Sequence, residues 1–176
     1  MTSPSIFVGL GSNLGDRLGQ IRAALHFLDQ APCQLLRVSS LYETAPVGPP
    51  QPHYLNAVAE IVSDLTPLDL LHHLKRFERN QGRLAAIRWS PRLIDLDLLV
   101  WGDVMLNSPA LTLPHPELTR RAFVLVPLVE LAPQLVIPGT GKTSATLLGE
   151  LEGEVRQGVS LPLGGNFVEG DFKLSE

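Results

Sequence analysis

Two aspartates separated by one residue, Asp95 and Asp97, lie in a segment that is otherwise strongly apolar. Side chains alternate along a strand, so a strand over 93–100 is predicted to hold four aliphatic side chains on the side opposite the aspartates: Ile94, Leu96, Leu98 and Val100. The two carboxylates then project in parallel, with Cα atoms about 6.5–7 Å apart. Unpaired like charges are costly in a buried strand, whereas a divalent cation between them resolves the repulsion. Carboxylate oxygens suit Mg²⁺, which completes its shell with phosphate and water.

Three arginines, Arg83, Arg88 and Arg92, precede this strand in a loop bounded by glycine and proline. Loop arginines bind anionic ligands more often than arginines on a helix face do. Metal ligands and guanidinium groups together are the two halves of a phosphoryl-transfer site. The alternative is an edge strand with a wet outer face, on which the aspartates pair with Arg88 or Arg92. The apolar strand and the arginine loop together favour the catalytic interpretation.

Two glycine motifs elsewhere lack a defining residue. The segment 9–14 begins like a dinucleotide-binding fingerprint, but Leu14 stands where the sixth position requires glycine. The segment 141–143 ends like a Walker A loop, but Val136 stands where that loop requires its first glycine. Neither motif is interpreted as a nucleotide site.

Composition limits the classes of protein. The 176 residues are 44% hydrophobic and 18% charged, which predicts one folded domain over 1–161 with a loose extension at 162–176. The net charge of −4 argues against a nucleic-acid binder. The N-terminal segment and the apolar runs predict neither export nor a membrane span, and we expect no obligatory protein partner. A single cysteine, Cys33, excludes an internal disulfide and suits a cytoplasmic location.

Hydrophobic periodicity predicts strands and helices in the order βαββαβ, followed by short strands and two further helices. The main strands are expected at 6–10, 34–43, 55–62 and 93–100, short strands near 104–106 and 111–113, and helices at 16–30, from the N-cap Thr66, at 121–131 and at 144–151. This order is typical of an α+β fold with a single-layer mixed or antiparallel sheet and helices packed on it, as in a ferredoxin-like plait. Lys75, Arg76 and Arg79 are interpreted as the solvated face of the second helix.

Several motifs stand in a fixed order along most of the chain, from about Ile6 to Leu151. The motifs are Gly11-Ser12-Asn13, Ser39-Ser40-Leu41-Tyr42-Glu43-Thr44-Ala45-Pro46, Tyr54-Leu55-Asn56-Ala57, Gln81-Gly82-Arg83, Arg88 to Leu99, Leu113-Pro114-His115-Pro116 and Arg121-Ala122-Phe123. With these motifs in this order, the chain resembles the 6-hydroxymethyl-7,8-dihydropterin pyrophosphokinase family. The resemblance implies a transferase of folate biosynthesis that binds ATP and 6-hydroxymethyl-7,8-dihydropterin and releases AMP, with two Mg²⁺ ions held by Asp95 and Asp97.

The resemblance also implies where the pterin binds. The ring would lie between the aromatic side chains of Tyr54 and Phe123, and Asn56 would read its amide edge. Other residues of the substrate site are implied through their backbone or their place in a motif: Gly11, Thr44, Ala45 and Val47.

On the nucleotide side, the resemblance implies an adenine pocket and a set of polar contacts. The pocket residues are Leu71, Leu98, Leu111 and Thr112, and the polar residues are Glu78, Arg92, His115 and Arg121. A loop carrying Arg83, Arg88 and Trp89 would close over both substrates and exclude water.

This chain departs from the family pattern in the closing loop, where Ala85 stands at a position that often holds a second arginine, Ser90 replaces a frequent glycine, and the loop is one residue shorter than in many relatives. Pro116 also stands where some relatives have tyrosine. Two other interpretations remain: another Mg²⁺-dependent nucleotidyl- or phosphotransferase that uses the same strand, and a non-catalytic ligand-sensing module of ferredoxin-like fold.

Overall fold

The computed structural model describes residues 3–46, 48–82 and 93–151, together with a short strand at 159–160. No helix within these ranges is long and apolar enough to cross a membrane. The elements, in chain order, are β1 (Ile6–Ser12), α1 (Arg17–Leu28), β2 (Cys33–Val38), β3 (Tyr42–Thr44), β4 (Tyr54–Ser63), α2 (Pro67–Asn80), β5 (Asp95–Trp101), β6 (Leu106–Asn107), β7 (Thr112–Leu113), a 3₁₀ turn (Leu118–Arg120), α3 (Ala122–Leu131), β8 (Val136–Ile137), β9 (Lys142–Thr143), α4 (Ser144–Glu150) and β10 (Val159–Ser160).

The main sheet follows the order β10-β3-β4-β1-β5, and every described pairing in it is antiparallel. The ten-residue strand β4 pairs with β3 along its first residues and with β2 along its last. With helices after the first and the fourth strand, the order matches a ferredoxin-like plait and confirms the predicted fold class.

Helices α1 and α2 cover one face of the sheet. The Asp16 carboxylate accepts a hydrogen bond from the Gly19 N–H at 3.0 Å, and Thr66 Oγ1 accepts one from the Asp69 N–H at 3.3 Å, so each helix begins at a side-chain cap. The predicted start of the second helix at Thr66 is confirmed. The helices bury an apolar stripe against the sheet, formed by Ile21, Ala24, Leu25, Leu28, Leu70 and Leu74. Cys33 is buried in the same core as a free thiol.

Helices α3 and α4 cover part of the opposite face. Their buried side chains pack on Phe7 of β1, Val58 of β4, and Leu99 and Val100 of β5; the helix members are Val124, Leu125, Leu128 and Leu147. The remaining part of this face, toward the start of β5 and the end of β1, carries the predicted site residues.

Two strand predictions need correction. The predicted strand 34–43 is two strands, because at Ser39 the hydroxyl oxygen accepts the Val58 N–H at 2.9 Å in place of a backbone acceptor. In β5 the pairing with β1 shifts by one residue, so that Val100 lies opposite Phe7 and Leu98 lies opposite Val8. This bulge at Leu99 turns Val100 toward α3, whereas the sequence predicts it on the side of Leu98.

Several short elements were not predicted from the sequence. These are the 3₁₀ turn, the β8–β9 hairpin and strand β10, which pairs with β3. The segment 141–143, which resembles the end of a Walker A loop, forms the end of this hairpin: Gly141 has a φ of 67°, and Thr143 caps α4.

Candidate active site

The register of the sheet brings the metal side and the pterin side of the predicted site together. Asp95 on β5 lies opposite Gly11 on β1, and Gly11 lies opposite Asn56 on β4. One step along, Asp97 lies opposite Gly9. Residues directly opposite in an antiparallel pair share a face, and so do residues two apart on one strand. All five therefore lie on the face that α3 only partly covers.

The two aspartates are half-buried, and the Asp97 side chain keeps 34% of its surface exposed, so a cation from solution can reach it. Burial raises the pKa of Asp97, and the neighbouring charge of Asp95 raises this pKa further. The charges of Lys75, His115 and Arg121 act in the opposite direction. The carboxylate pair is thus held in a setting that disfavours two bare negative charges.

The donor set fits Mg²⁺. Two carboxylates supply hard oxygen ligands, and Mg²⁺ in proteins uses one or two carboxylates with phosphate and water as the remaining ligands. Within the described residues there is no cluster of three or more His, Cys, Asp and Glu side chains that could hold a metal by itself. A cation bound by these two carboxylates would need further ligands, such as water or phosphate oxygens.

Glycine at position 11 leaves room for the predicted pterin-binding side chains. A Cβ atom on Gly11 would lie 3.0 Å from Asn56 Oδ1 and 3.5 Å from Tyr54 Cδ1. Asn56 is buried, and its Nδ2 donates a hydrogen bond to Thr44 Oγ1. This bond fixes the amide so that Oδ1 lies toward Gly11. Four of the predicted pterin-site residues are therefore neighbours, namely Gly11, Thr44, Tyr54 and Asn56.

Phe123 and Arg121 lie at the start of α3. Both are half-buried, and the Arg121 guanidinium lies over the Phe123 ring, 5.6 Å from its centroid. His115 precedes the 3₁₀ turn, and its Nδ1 accepts a hydrogen bond from the Glu117 N–H at 3.1 Å. Burial lowers the pKa of His115, while the charge of Asp97 raises it and that of Arg121 lowers it. His115 and Arg121 are thus electrically coupled to Asp97.

Three of the predicted adenine-pocket residues belong to the core beneath α2. Leu98 and Leu111 are buried members of that core, and Leu71 is half-buried against it. Thr112 is half-buried on β7, which contacts β5. The structure brings Leu71, Leu98 and Leu111 to the side of β5 that faces α2.

Glu78 and Lys75 on α2 bind the backbone of β5 between the two aspartates. The Glu78 carboxylate accepts the Leu96 N–H at 2.6 Å, and Lys75 Nζ donates to the Leu96 carbonyl oxygen at 2.9 Å. The prediction that Glu78 contacts ATP stays a prediction. The interpretation of Lys75 as part of a solvated helix face is wrong, whereas Arg76 and Arg79 are exposed as expected. No sequence signal marks Lys75, because its contact with Leu96 depends on how α2 packs on the strand edge.

The remaining predicted site residues divide into two groups. Ala45 is exposed directly after β3. Five others lie outside the described residues: Val47, Arg83, Arg88, Trp89 and Arg92. The roles predicted for them stay predictions.

Comparison with known proteins gives a consistent result. Residues 7–133, more than half of the chain, match the family model described as 7,8-dihydro-6-hydroxymethylpterin-pyrophosphokinase. A protein of Pseudomonas aeruginosa named 2-amino-4-hydroxy-6-hydroxymethyldihydropteridine pyrophosphokinase is 46% identical over 135 residues, which cover 76% of this chain and 83% of that protein. A Bacillus subtilis protein of the same name is 40% identical over 131 residues, covering 73% and 78%.

Solved structures share the fold at low sequence identity. A Plasmodium falciparum chain named HPPK-DHPS superposes with a TM-score of 0.69 at 14% identity, covering 85% of this chain and 45% of that chain. This chain therefore spans less than half the length of that solved protein. At such identity the likeness concerns the fold alone.

Proposed function

Because the chain belongs to the 7,8-dihydro-6-hydroxymethylpterin-pyrophosphokinase family, we propose that Asp95 and Asp97 hold Mg²⁺ for the reaction of that family. The reaction transfers pyrophosphate from ATP to the hydroxymethyl group of 6-hydroxymethyl-7,8-dihydropterin in folate synthesis. The observation that carries the proposal is the register Asp95–Gly11–Asn56, which sets a carboxylate pair beside a buried amide on one face of the sheet.

The two aspartates supply the oxygen ligands of the metal. When bound there, Mg²⁺ neutralises phosphate charge and lowers the barrier to attack at phosphorus. Burial and the Asp95 charge raise the pKa of Asp97, so a nearby dication would favour the ionised pair. The charges of His115 and Arg121 also act on Asp97, which supports the proposal that both residues contact the phosphate groups of ATP.

On the pterin side, Asn56 selects the ring by hydrogen bonding. Since Thr44 Oγ1 already accepts its Nδ2, the free Oδ1 is the atom that accepts an N–H from the pterin edge. The site then discriminates strongly, because a ring without that donor would leave a buried acceptor unpaired. Tyr54 and Phe123 supply the two aromatic faces.

The transfer needs no covalent intermediate on the protein. The pterin hydroxyl oxygen attacks the β-phosphorus and its proton passes to solvent, while the bond from that phosphorus to the α–β bridging oxygen breaks and AMP leaves with that oxygen. The residues of this chain contribute alignment of the two substrates and fixed charge near the transferred group. Arg83, Arg88, Trp89 and Arg92 remain proposed participants. A cytoplasmic location is a further part of the proposal, with which the free thiol of Cys33 is compatible.

A product assay tests the proposal. We expect the purified chain to release AMP only when ATP, the hydroxymethyl pterin and Mg²⁺ are all present, and to stop when a chelator removes the metal. Release of ADP or of free pyrophosphate would instead indicate a phospho- or nucleotidyltransferase. Full AMP release in the chelated sample would refute the metal assignment.

A further inference from the structure

Strand β5 stands at the end of the described sheet order, so its outer edge has no neighbouring strand there. An open edge leaves backbone N–H and C=O groups unpaired, and a flexible edge would be a poor platform for two metal ligands. Leu96 is the residue between Asp95 and Asp97, and its side chain is buried in the core. The conformation of its backbone sets how the two carboxylates project.

Side chains of helix α2 supply hydrogen-bond partners to the backbone of this edge at one residue, Leu96. The Glu78 carboxylate accepts the Leu96 N–H at 2.6 Å, and Lys75 Nζ donates to the Leu96 carbonyl oxygen at 2.9 Å. Lys75 and Glu78 also form an ion pair of 3.0 Å at the i, i+3 spacing that places them on one helix face. Together the two side chains make the pair of backbone contacts that another strand would make.

Removing the Lys75–Glu78 ion pair from water costs free energy, so an ion pair is an unusual choice if its purpose is only to shield a strand edge from solvent. Glu78 has no exposed side-chain surface, and burial raises the pKa of its carboxyl while Lys75 and the Leu96 N–H lower it. A buried ion pair contributes little net stability over an apolar pair, yet removal of one partner is strongly unfavourable. Lys75 Nζ reaches further, to 3.8 Å from Asp97 Oδ1. One ammonium group thus contacts the helix carboxylate, the strand backbone and a metal ligand.

We infer that Lys75 and Glu78 are positioning residues that fix the Leu96 peptide, and with it the spacing of Asp95 and Asp97, before a metal ion arrives. The inference rests on the proposed function of the aspartates. It assigns Lys75 a role that its charge alone does not suggest, since an ammonium group beside metal ligands would otherwise repel the ion.

Substitutions of Lys75 separate the hydrogen bond from the charge. Lys75→Met removes both the charge and the donor to the Leu96 carbonyl, while Lys75→Gln removes the charge and keeps a donor. At saturating Mg²⁺ and both substrates, we expect Lys75→Met to lower kcat about tenfold or more, because small misplacement of reacting groups is expensive. Lys75→Gln should recover most of that loss. Lys142→Met is the matched control, since Lys142 on β9 forms an exposed ion pair of 2.7 Å with Glu150 on α4.

A second measurement does not depend on the reaction. In the metal-free protein, the Leu96 amide should exchange its hydrogen about tenfold faster in Lys75→Met than in wild type, while the amide of Leu10 on the inner strand β1 is unchanged. This result would stand even if the proposed function failed. Three results would overturn the inference: an unchanged kcat in Lys75→Met, an unchanged Leu96 exchange rate, or equal kcat losses in the Met and Gln variants. The last would show that Lys75 acts through its charge.

Discussion

The two faces of the central sheet are built from the same strands and serve different purposes. On the face of α1 and α2, apolar side chains of β1, β2, β4 and β5 form one core with the helices. On the other face, α3 and α4 cover Phe7, Val58, Leu99 and Val100, and the chain leaves Gly11, Asn56 and Asp95 beyond the helices.

The difference shows how side chains at one end of a strand can pack in the core while side chains at its other end belong to the candidate site. Along β4, Val58 is buried against α3, and Asn56, two residues earlier on the same face, is a buried polar residue beyond that apolar cluster. Along β5, the bulge at Leu99 turns Val100 into the apolar cluster that packs on α3 and α4. Asp95 and Asp97 lie at the other end of the same strand. Stability and chemistry are therefore separable by substitution, and the following variants test that separation.

The largest effect is expected at the aspartate pair. Asp97→Ala should lower turnover by about three orders of magnitude or more, because both phosphate charge and acceptor alignment depend on the metal site. The fold should persist, since burial and the Asp95 charge already disfavour the ionised carboxylate. AMP release and thermal unfolding measure the two effects. Asp103→Ala, in the exposed turn after β5, is the control. A variant that kept more than about a tenth of wild-type turnover, a loss under about 1.4 kcal/mol, would contradict the metal assignment.

The closed face should show the reverse behaviour. Leu25 is completely buried in the core beneath α1, and Leu25→Ala should destabilise the fold by about 2–5 kcal/mol through lost transfer energy and a cavity. Turnover per folded molecule should stay near that of wild type below the unfolding transition. Denaturant titration gives the first quantity and a single-turnover assay the second. If turnover fell with stability to a similar degree, the two faces would not be separable.

The sequence predicted most of the architecture because each main element has a clear local signal. The apolar alternation of β4, the Thr66-Pro67 start of α2 and the aspartate strand were all recognisable without tertiary information. The division of 34–43 at Ser39 and the bulge at Leu99 were not, since both depend on hydrogen bonds to another strand. Local alternation alone cannot reveal a shift in register.

For the candidate site, the residue types predicted the carboxylate pair, and the family motifs pointed to Asn56 and its neighbours. The contact of Lys75 and Glu78 with Leu96 could not be predicted in this way. It joins residues that are 21 and 18 positions apart, and a lysine among arginines on a helix is usually solvated. Only the packing of α2 on the strand edge shows that this lysine points toward β5.

A smaller effect is expected from substitutions on strand β4, where Asn56 and Val58 should contribute to different properties. Asn56→Ala should weaken pterin binding by about 1–3 kcal/mol, because a buried hydrogen-bond partner is lost, and ATP binding should hardly change. Isothermal titration with each ligand measures both affinities. Val58→Ala, on the same strand and face but under α3, should lower stability and leave pterin affinity intact. Equal losses for the two ligands in Asn56→Ala would mean that Asn56 supports the fold rather than the pterin.

The smallest effect concerns acid sensitivity at the closed face. His73 stacks on Phe27 with ring centroids 4.5 Å apart, and burial, followed by the Arg76 charge, lowers its pKa below the usual 6.5. The unfolded chain then binds a proton more readily than the folded one, so this residue should reduce stability as the pH falls below about 6.5. His73→Phe keeps the stack and removes the titration. Its melting temperature should therefore fall less than that of wild type between pH 7.5 and 5.5, and Arg76→Gln should give an intermediate change. Turnover at pH 7.5 should be the same in all three proteins, and an identical pH dependence of melting in wild type and His73→Phe would rule out His73 as the source.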